Sequence, residues 1–352
     1  MATEKEQRNN QLLTSILELI GFLLHSIVLI ISALYKACLP SSYQYKKILE
    51  GEITLVTGGG GGLGRLLALR LSRLGAVVVL WDINEKGIEE TVNLVKGVGG
   101  KAYGYKCNIA DRKNVYEVAK KTQDEVGDVS VLINNAGVVS GYSLLDTPDD
   151  LIQRTFDVNI VAHFWTVKAF LPKMIERDSG HIVTIASLAG HIGVSKLVDY
   201  CASKYAAVGF DESLKSELFE MGVEGVKTTV VCPYFIQQTG MFENVSSKFF
   251  PTLKSNDVAD RIIDALRKEE DLVIIPGYMR WFLPLKLLIP RSVLNLFTKT
   301  MLPDASPHHP STPIVQLKNS RSAGLHKSEM NNTLSDSIKQ THPSLTTKGK
   351  DL

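Results

Sequence analysis

Apolar residues fall into two kinds of stretch, short runs of four to six and longer segments with helical spacing, and from 50 to about 278 the two alternate. The short runs are Thr54–Thr57, Val77–Trp81, Ala102–Cys107, Val129–Asn134, His181–Ala186, Lys227–Cys232 and Leu272–Ile275. Helical periodicity covers Leu63–Leu74, Asn114–Val126, Leu151–Glu176, Tyr200–Glu220 and Asp257–Lys268. Strands without polar alternation, separated by helices, predict a parallel sheet covered on both faces. The expected fold is α/β, a single doubly wound, Rossmann-type domain whose ligand crevice lies at the carboxyl ends of the strands. Outside that block the pattern changes. Residues 1–40 carry an apolar stretch, Leu19–Tyr35, seventeen residues without a charge, which predicts a membrane helix at the lower limit of length. A signal peptide and a core helix are the alternatives, disfavoured by the mixed charges at the start and by apolarity nearly all round. Residues 279–302 mix Trp281, Phe282 and many leucines with Lys286, Arg291 and Lys299, as expected of a membrane-interface piece or of a helix covering the domain. Residues 303–352 are rich in Ser, Thr, Pro, His and Lys, lack an apolar period, and are expected to be disordered.

The first strand runs into a glycine turn, Ile53-Thr-Leu-Val-Thr57-Gly58-x-x-x-Gly62-Leu63-Gly64, and a helix follows. Such a turn aims main-chain N–H groups and a helix N-terminus at a pyrophosphate, and side chains there would hold the backbone away from it. The second strand ends in Asp82, eighteen residues past Gly64. A carboxylate at that place accepts hydrogen bonds from both hydroxyls of an adenosine ribose and repels a 2′-phosphate. Gly61 and Ile83 offer no cation for such a phosphate, and Arg65 is the nearby base. NAD rather than NADP is therefore expected; the alternative is that Asp82 merely caps the next helix.

The second constellation is Tyr200-Cys-Ala-Ser-Lys204, with Ser187 thirteen residues upstream at the end of a strand. On a helix Tyr200 and Lys204 share one face. A phenol with a pKa of about 10 is a poor base at neutral pH. A nearby ammonium is expected to lower that value toward the working range, and Ser187 to hold a substrate oxygen beside the phenol.

Taken together, Thr57-Gly-x-x-x-Gly-x-Gly64, Asn134-Asn-Ala-Gly137, Asn159, Ser187 and Tyr200-x-x-x-Lys204 resemble the short-chain dehydrogenase/reductase family over residues 50 to 280. Leu80-Trp-Asp-Ile-Asn84, Phe164-Trp-Thr, Lys168-Ala-Phe-Leu-Pro172 and Asp199-Tyr-Cys-Ala-Ser-Lys204 resemble its group of membrane-bound epidermal retinol dehydrogenases and type 11 and 13 17β-hydroxysteroid dehydrogenases. The resemblance implies an NAD-dependent alcohol dehydrogenase acting on a lipophilic alcohol, a retinoid first and a steroid second. It implies that Asn159, Ser187, Tyr200 and Lys204 are catalytic, with Asn159 ordering a water that links Lys204 to solvent. It implies that Gly58, Gly62, Leu63, Gly64, Asp82, Asn108, Asn135, Ala136, Gly137, Tyr200, Lys204 and Thr239 bind the cofactor, and that the protein is a homodimer through its long helices. Three positions depart from the family pattern. Asn108 replaces a common aspartate, Tyr234 replaces a glycine, and Thr239 falls six residues after Pro233 rather than five, so that Gln238 is the alternative contact to the nicotinamide. A weakly catalytic lipid-droplet surface protein is the alternative from a different class.

Composition narrows the setting. A net charge of +2 with 22% charged residues gives no basic footprint for nucleic acid. Four cysteines show neither metal-ligand spacing nor a dense disulfide pattern, so buried reduced thiols are expected. Lys36, Lys46 and Lys47 follow the apolar stretch, which places the domain on the cytosolic side. Lys348 and Lys350, five and three from the end, match a dilysine retrieval signal, so an endoplasmic-reticulum membrane is expected, while Pro40 and the short apolar length also allow a segment that dips into one leaflet, as on a lipid droplet. On that topology the sequons at Asn244 and Asn331 stay unmodified.

Overall fold

A computed structural model describes residues 2–39, 43–241 and 251–301 of the chain. The expected tail disorder, the dilysine pair, both sequons and most of the aromatic loop after Met241 lie outside the described residues. In chain order the elements are α1 (Ala2–Cys38), β1 (Ile53–Thr57), α2 (Gly62–Arg73), β2 (Val77–Asp82), α3 (Glu85–Gly97), β3 (Lys101–Lys106), α4 (Arg112–Glu125) and β4 (Val131–Asn134). There follow α5 (Asp149–Phe156), α6 (Ala162–Glu176), β5 (Gly180–Ile185), α7 (Val198–Glu220), β6 (Val226–Pro233), α8 (Ser255–Lys268), β7 (Leu272–Ile275), α9 (Leu285–Leu288) and α10 (Arg291–Met301).

The seven strands form one sheet in the order β3-β2-β1-β4-β5-β6-β7, all parallel. Strand periodicity sorts the core into two layers. Val56, Val78 and Leu80 face Leu67 and Leu71 of α2, Ile88 of α3 and Ile262 of α8. Their neighbours Leu55, Val79 and Trp81 face Val115 of α4 and Phe170 and Met174 of α6. Each such side chain is essentially excluded from water, and burial of a large apolar group contributes about 2 kcal/mol.

The expected Leu151–Glu176 helix is interrupted. α5 and α6 are joined through a π-helical turn, Asp157–Val161, which carries Asn159 inward. Turns of this kind recur at functional sites because they re-aim a side chain without ending the helix. α1 extends well beyond the apolar stretch. Within it Glu6–Tyr35 is long and apolar enough to cross a membrane, and none of it is buried against the rest of the chain.

Candidate active site

The order in which strands are added reverses between β1 and β4, and the cleft opens at the carboxyl ends of these strands. Its volume is about 690 Å³, within the usual range for small-molecule sites.

The glycine turn forms one wall. Gly58 has φ +68°, and a Cβ there would press on Ala136. A Cβ on Gly64 would overlap the Gly58 carbonyl oxygen, so only glycine lets α2 start against the strand end. Thr57 and Asn135 clamp the turn to β4. The Thr57 hydroxyl accepts from the N–H groups of Asn135 (3.0 Å) and Ala136 (3.1 Å), and the Asn135 amide donates to the Thr57 carbonyl (2.9 Å). Asn134 accepts from Thr166 (2.8 Å) in the core. Asn135 thus ties the glycine turn to β4, and Asn134 is held in the core.

Asp82 lines the cleft at the end of β2. One carboxylate oxygen accepts from Gly60 N (2.9 Å) and the other from Asn84 N (3.0 Å). The N-cap of α3 is Asn84, whose side chain accepts from Gly87 N, so the capping alternative for Asp82 does not hold. Arg65 is not among the residues lining the cleft: it donates to Thr91, to the Gly60 carbonyl and to Glu90 (2.7 Å). Asn108 also lines the cleft, but its side-chain oxygen accepts from Ala110 N (3.2 Å) in its own turn. Leu63, Gly137 and Thr239 complete this side, with the Thr239 carbonyl against Gly62. Gln238, in the left-handed region at φ +57°, is not among the lining residues.

At the other end stand Ser187, Tyr200 and Lys204. Ser187 caps a short 3-10 turn, Leu188–Gly190, where its hydroxyl accepts from Ala189 N (3.1 Å), and it also hydrogen-bonds the Tyr200 side chain. The Tyr200 ring packs among Ala189, Leu197, Val194 and Phe235 and is 5% exposed. Lys204 is buried, donates to the Ile185 carbonyl (2.8 Å), and lies 5.7 Å from the Tyr200 ring centroid. Burial lowers the Lys204 ammonium to about 8. The sequence led us to expect a lowered Tyr200 pKa. In the folded chain burial pushes the phenol up, opposed by the Ser187 hydrogen bond, while the ammonium is drawn toward a strand carbonyl.

Asn159 is fully buried. Its side chain accepts from Val138 N (2.8 Å) and donates to the Val138 carbonyl (2.9 Å) and to Ser203 (3.0 Å). Sequence reasoning gave no role to Asp199. Its two oxygens accept from Ser140 and Thr155, both at 2.9 Å, which ties the segment after Gly137 to the first turn of α7 beside Tyr200. An acid in a helix's first turn beside the candidate base was the available signal. Three of the four cysteines are buried and all four are free, with Cys38 exposed.

The comparisons with known proteins agree with this geometry. Residues 52–249 match the short chain dehydrogenase family model. Human epidermal retinol dehydrogenase 2 is 46% identical over 275 residues, covering 75% of this chain and 88% of its own. Human estradiol 17-beta-dehydrogenase 11 is 44% identical over 254 residues, covering 72% of this chain and 84% of its own. A crystal structure of a short chain dehydrogenase/reductase from Burkholderia phymatum, in complex with NAD, superposes with a TM-score of 0.62 at 24% identity over 76% of this chain and 99% of its own. The glycine turn, Ser187, Tyr200 and Lys204 thus line one cleft, with Asn159 buried behind Val138, and the chain belongs to the short chain dehydrogenase family.

Proposed function

We propose that the chain is an NAD-dependent dehydrogenase of lipophilic alcohols, with oxidation of all-trans-retinol to retinal as its leading reaction. The observation that carries this is the hydrogen-bonded Ser187–Tyr200 pair with Lys204 behind it, at the end of a cleft walled by Leu188, Ile192, Val194, Leu197, Phe235 and Met241. A dinucleotide fits the opposite end. Main chain without Cβ atoms at Gly58 and Gly64 admits a pyrophosphate, and Asp82 stands where a ribose would lie, with the Arg65 charge committed to Glu90.

Bound NAD would supply the hydride acceptor and a cationic ring near the phenol. Ser187 holds the substrate oxygen, and Tyr200 accepts the hydroxyl proton as the carbinol hydrogen leaves as hydride. In the chain alone burial opposes the phenolate and the Ser187 hydrogen bond favours it, with the Lys204 ammonium 5.7 Å from the ring centroid. Both amide hydrogens of Asn159 are used, so a water between it and Lys204 would rest on its main-chain carbonyl.

Retinol leads because the epidermal retinol dehydrogenase likeness covers both chains well, and a 17β-hydroxysteroid is second for the same kind of reason. The complete Ser187–Tyr200–Lys204 set speaks against a weakly catalytic surface protein. α1 is the proposed membrane anchor, spanning or dipping into one leaflet of the endoplasmic reticulum or seated on a lipid droplet, with the domain in the cytosol. A homodimer through α6 and α7 is the proposed assembly; Phe164 and Phe219 on these helices are exposed.

The test is oxidation by microsomes carrying the full chain, with retinol, estradiol and an androgen diol, using NAD or NADP. Retinal formation that prefers NAD and drops on the order of a thousandfold in Tyr200→Phe is expected. Steroid turnover alone would move the reading to the hydroxysteroid branch. Full activity in Tyr200→Phe would sink the mechanism.

A further inference from the structure

We propose that Lys286 is a positioning residue for the substrate end of the cleft, stapling the C-terminal segment to the turn that follows Ser187. The inference rests on the function proposed above for its kinetic arm only. Lys286 lies in α9 and is half-buried. Its ammonium donates to the His191 carbonyl at 2.7 Å and to the Tyr205 hydroxyl at 2.6 Å, and stands 5.1 Å from the Tyr205 ring centroid. The other bases of this segment, Arg280, Arg291 and Lys299, are exposed and make no ion pair among the described residues.

Both anchors adjoin the chemistry. His191 closes the 3-10 turn that Ser187 opens, and the next residue, Ile192, lines the cleft. Tyr205 follows Lys204 on α7. One cation therefore joins the turn of Ser187 to the helix of Tyr200 and Lys204, and joins both to a segment with exposed Trp281, Phe282 and Leu288. Met279 and Leu283 pack on the same cluster as Leu188 and Ile192, so the staple closes an apolar contact already present. A charged donor shared by a carbonyl, a hydroxyl and an aromatic face holds its partners more firmly than a neutral one. Its removal frees the wall of the substrate end and leaves the glycine turn and Asp82 untouched.

The experiment uses the purified full chain in detergent micelles, comparing wild type with Lys286→Met, Lys286→Arg and Tyr205→Phe. In Lys286→Met the KM for retinol is expected to rise roughly tenfold, with kcat and the KM for NAD within about twofold of wild type. Lys286→Arg restores most of the loss, and Tyr205→Phe, which removes one anchor, gives a smaller rise. Hydrogen exchange at the amides of residues 189–194 is expected to quicken roughly tenfold in Lys286→Met, with β1 unchanged. Unchanged exchange there, or a parallel rise in the KM for NAD, would overturn the proposal. If the wild type oxidises no lipid alcohol, the functional reading fails and the exchange measurement alone decides the staple.

Discussion

Asp82 holds two main-chain N–H groups while facing the cleft, so its charge is both structural and available to a sugar. The Arg65 guanidinium is engaged with Glu90 and does not line the cleft. Replacing Asp82 by Asn keeps one acceptor for the glycine turn, and Ile83→Arg adds the missing cation. The double variant is expected to shift the ratio of kcat/KM for NADP over NAD by roughly a hundredfold, from loss of one repulsion and gain of one charged contact. An unchanged ratio would show that Asp82 does not read the sugar. At this scale Ser187, Tyr200 and Lys204 were legible as candidates because they sit in dense local motifs, and the fold brings them to one cleft. Asp199 was not, since its partners Ser140 and Thr155 lie 59 and 44 residues away and only the fold brings them together. The Tyr200 pKa was misjudged for a related reason: spacing places Lys204 on the same face, but burial and the pull of the Ile185 carbonyl are properties of the packed interior.

Elements were legible where periodicity was clean. Every strand of the sheet fell within two residues of its expected limits; the central ones, buried on both faces, announce themselves as apolar runs, whereas the edge strand β3 is mostly exposed. The π turn at Asp157–Val161 was hidden, since a single inserted residue barely disturbs an apolar helix pattern. The close approach of α2 to the turn after β1 gives a direct test. Gly64→Ala is expected to raise the KM for NAD at least roughly tenfold and to lower Tm by several degrees, because the new methyl overlaps the Gly58 carbonyl. Gly97→Ala, with nothing within 4 Å of its Cβ, should leave the KM unchanged and Tm level or slightly higher. Equal behaviour of the two variants would remove the close-approach argument.

For the molecule as a whole, buried titratable groups set the response to acid. Burial lowers His163 and His181 to about 3, with the Lys204 cation adding to the effect at His163. Between pH 6.5 and about 3 the unfolded chain takes up these protons and the folded chain does not, so stability falls as pH falls through that window. Burial raises Asp211 to about 7, which works in the opposite sense: below pH 7 the folded chain is protonated there before the unfolded one. From pH 6.5 to about 4 the three groups leave a net loss near one proton, about 1.4 kcal/mol per pH unit. In Asp211→Asn the loss is expected to become about twice as steep. Thermal unfolding of both proteins in detergent across this range measures the slopes, and equal slopes would contradict the assignment. The pairing of β1 with β4 carries a different consequence. Thr54 aligns with Val131, and the clamp on the glycine turn comes from Asn135, so the strand that begins the domain waits for chain made much later. A nascent chain that has reached only β3 holds every glycine of the turn and Asp82 but no clamp. During synthesis the nucleotide half therefore cannot mature before β4 and Asn135 have been made, although its glycines and Asp82 are already present.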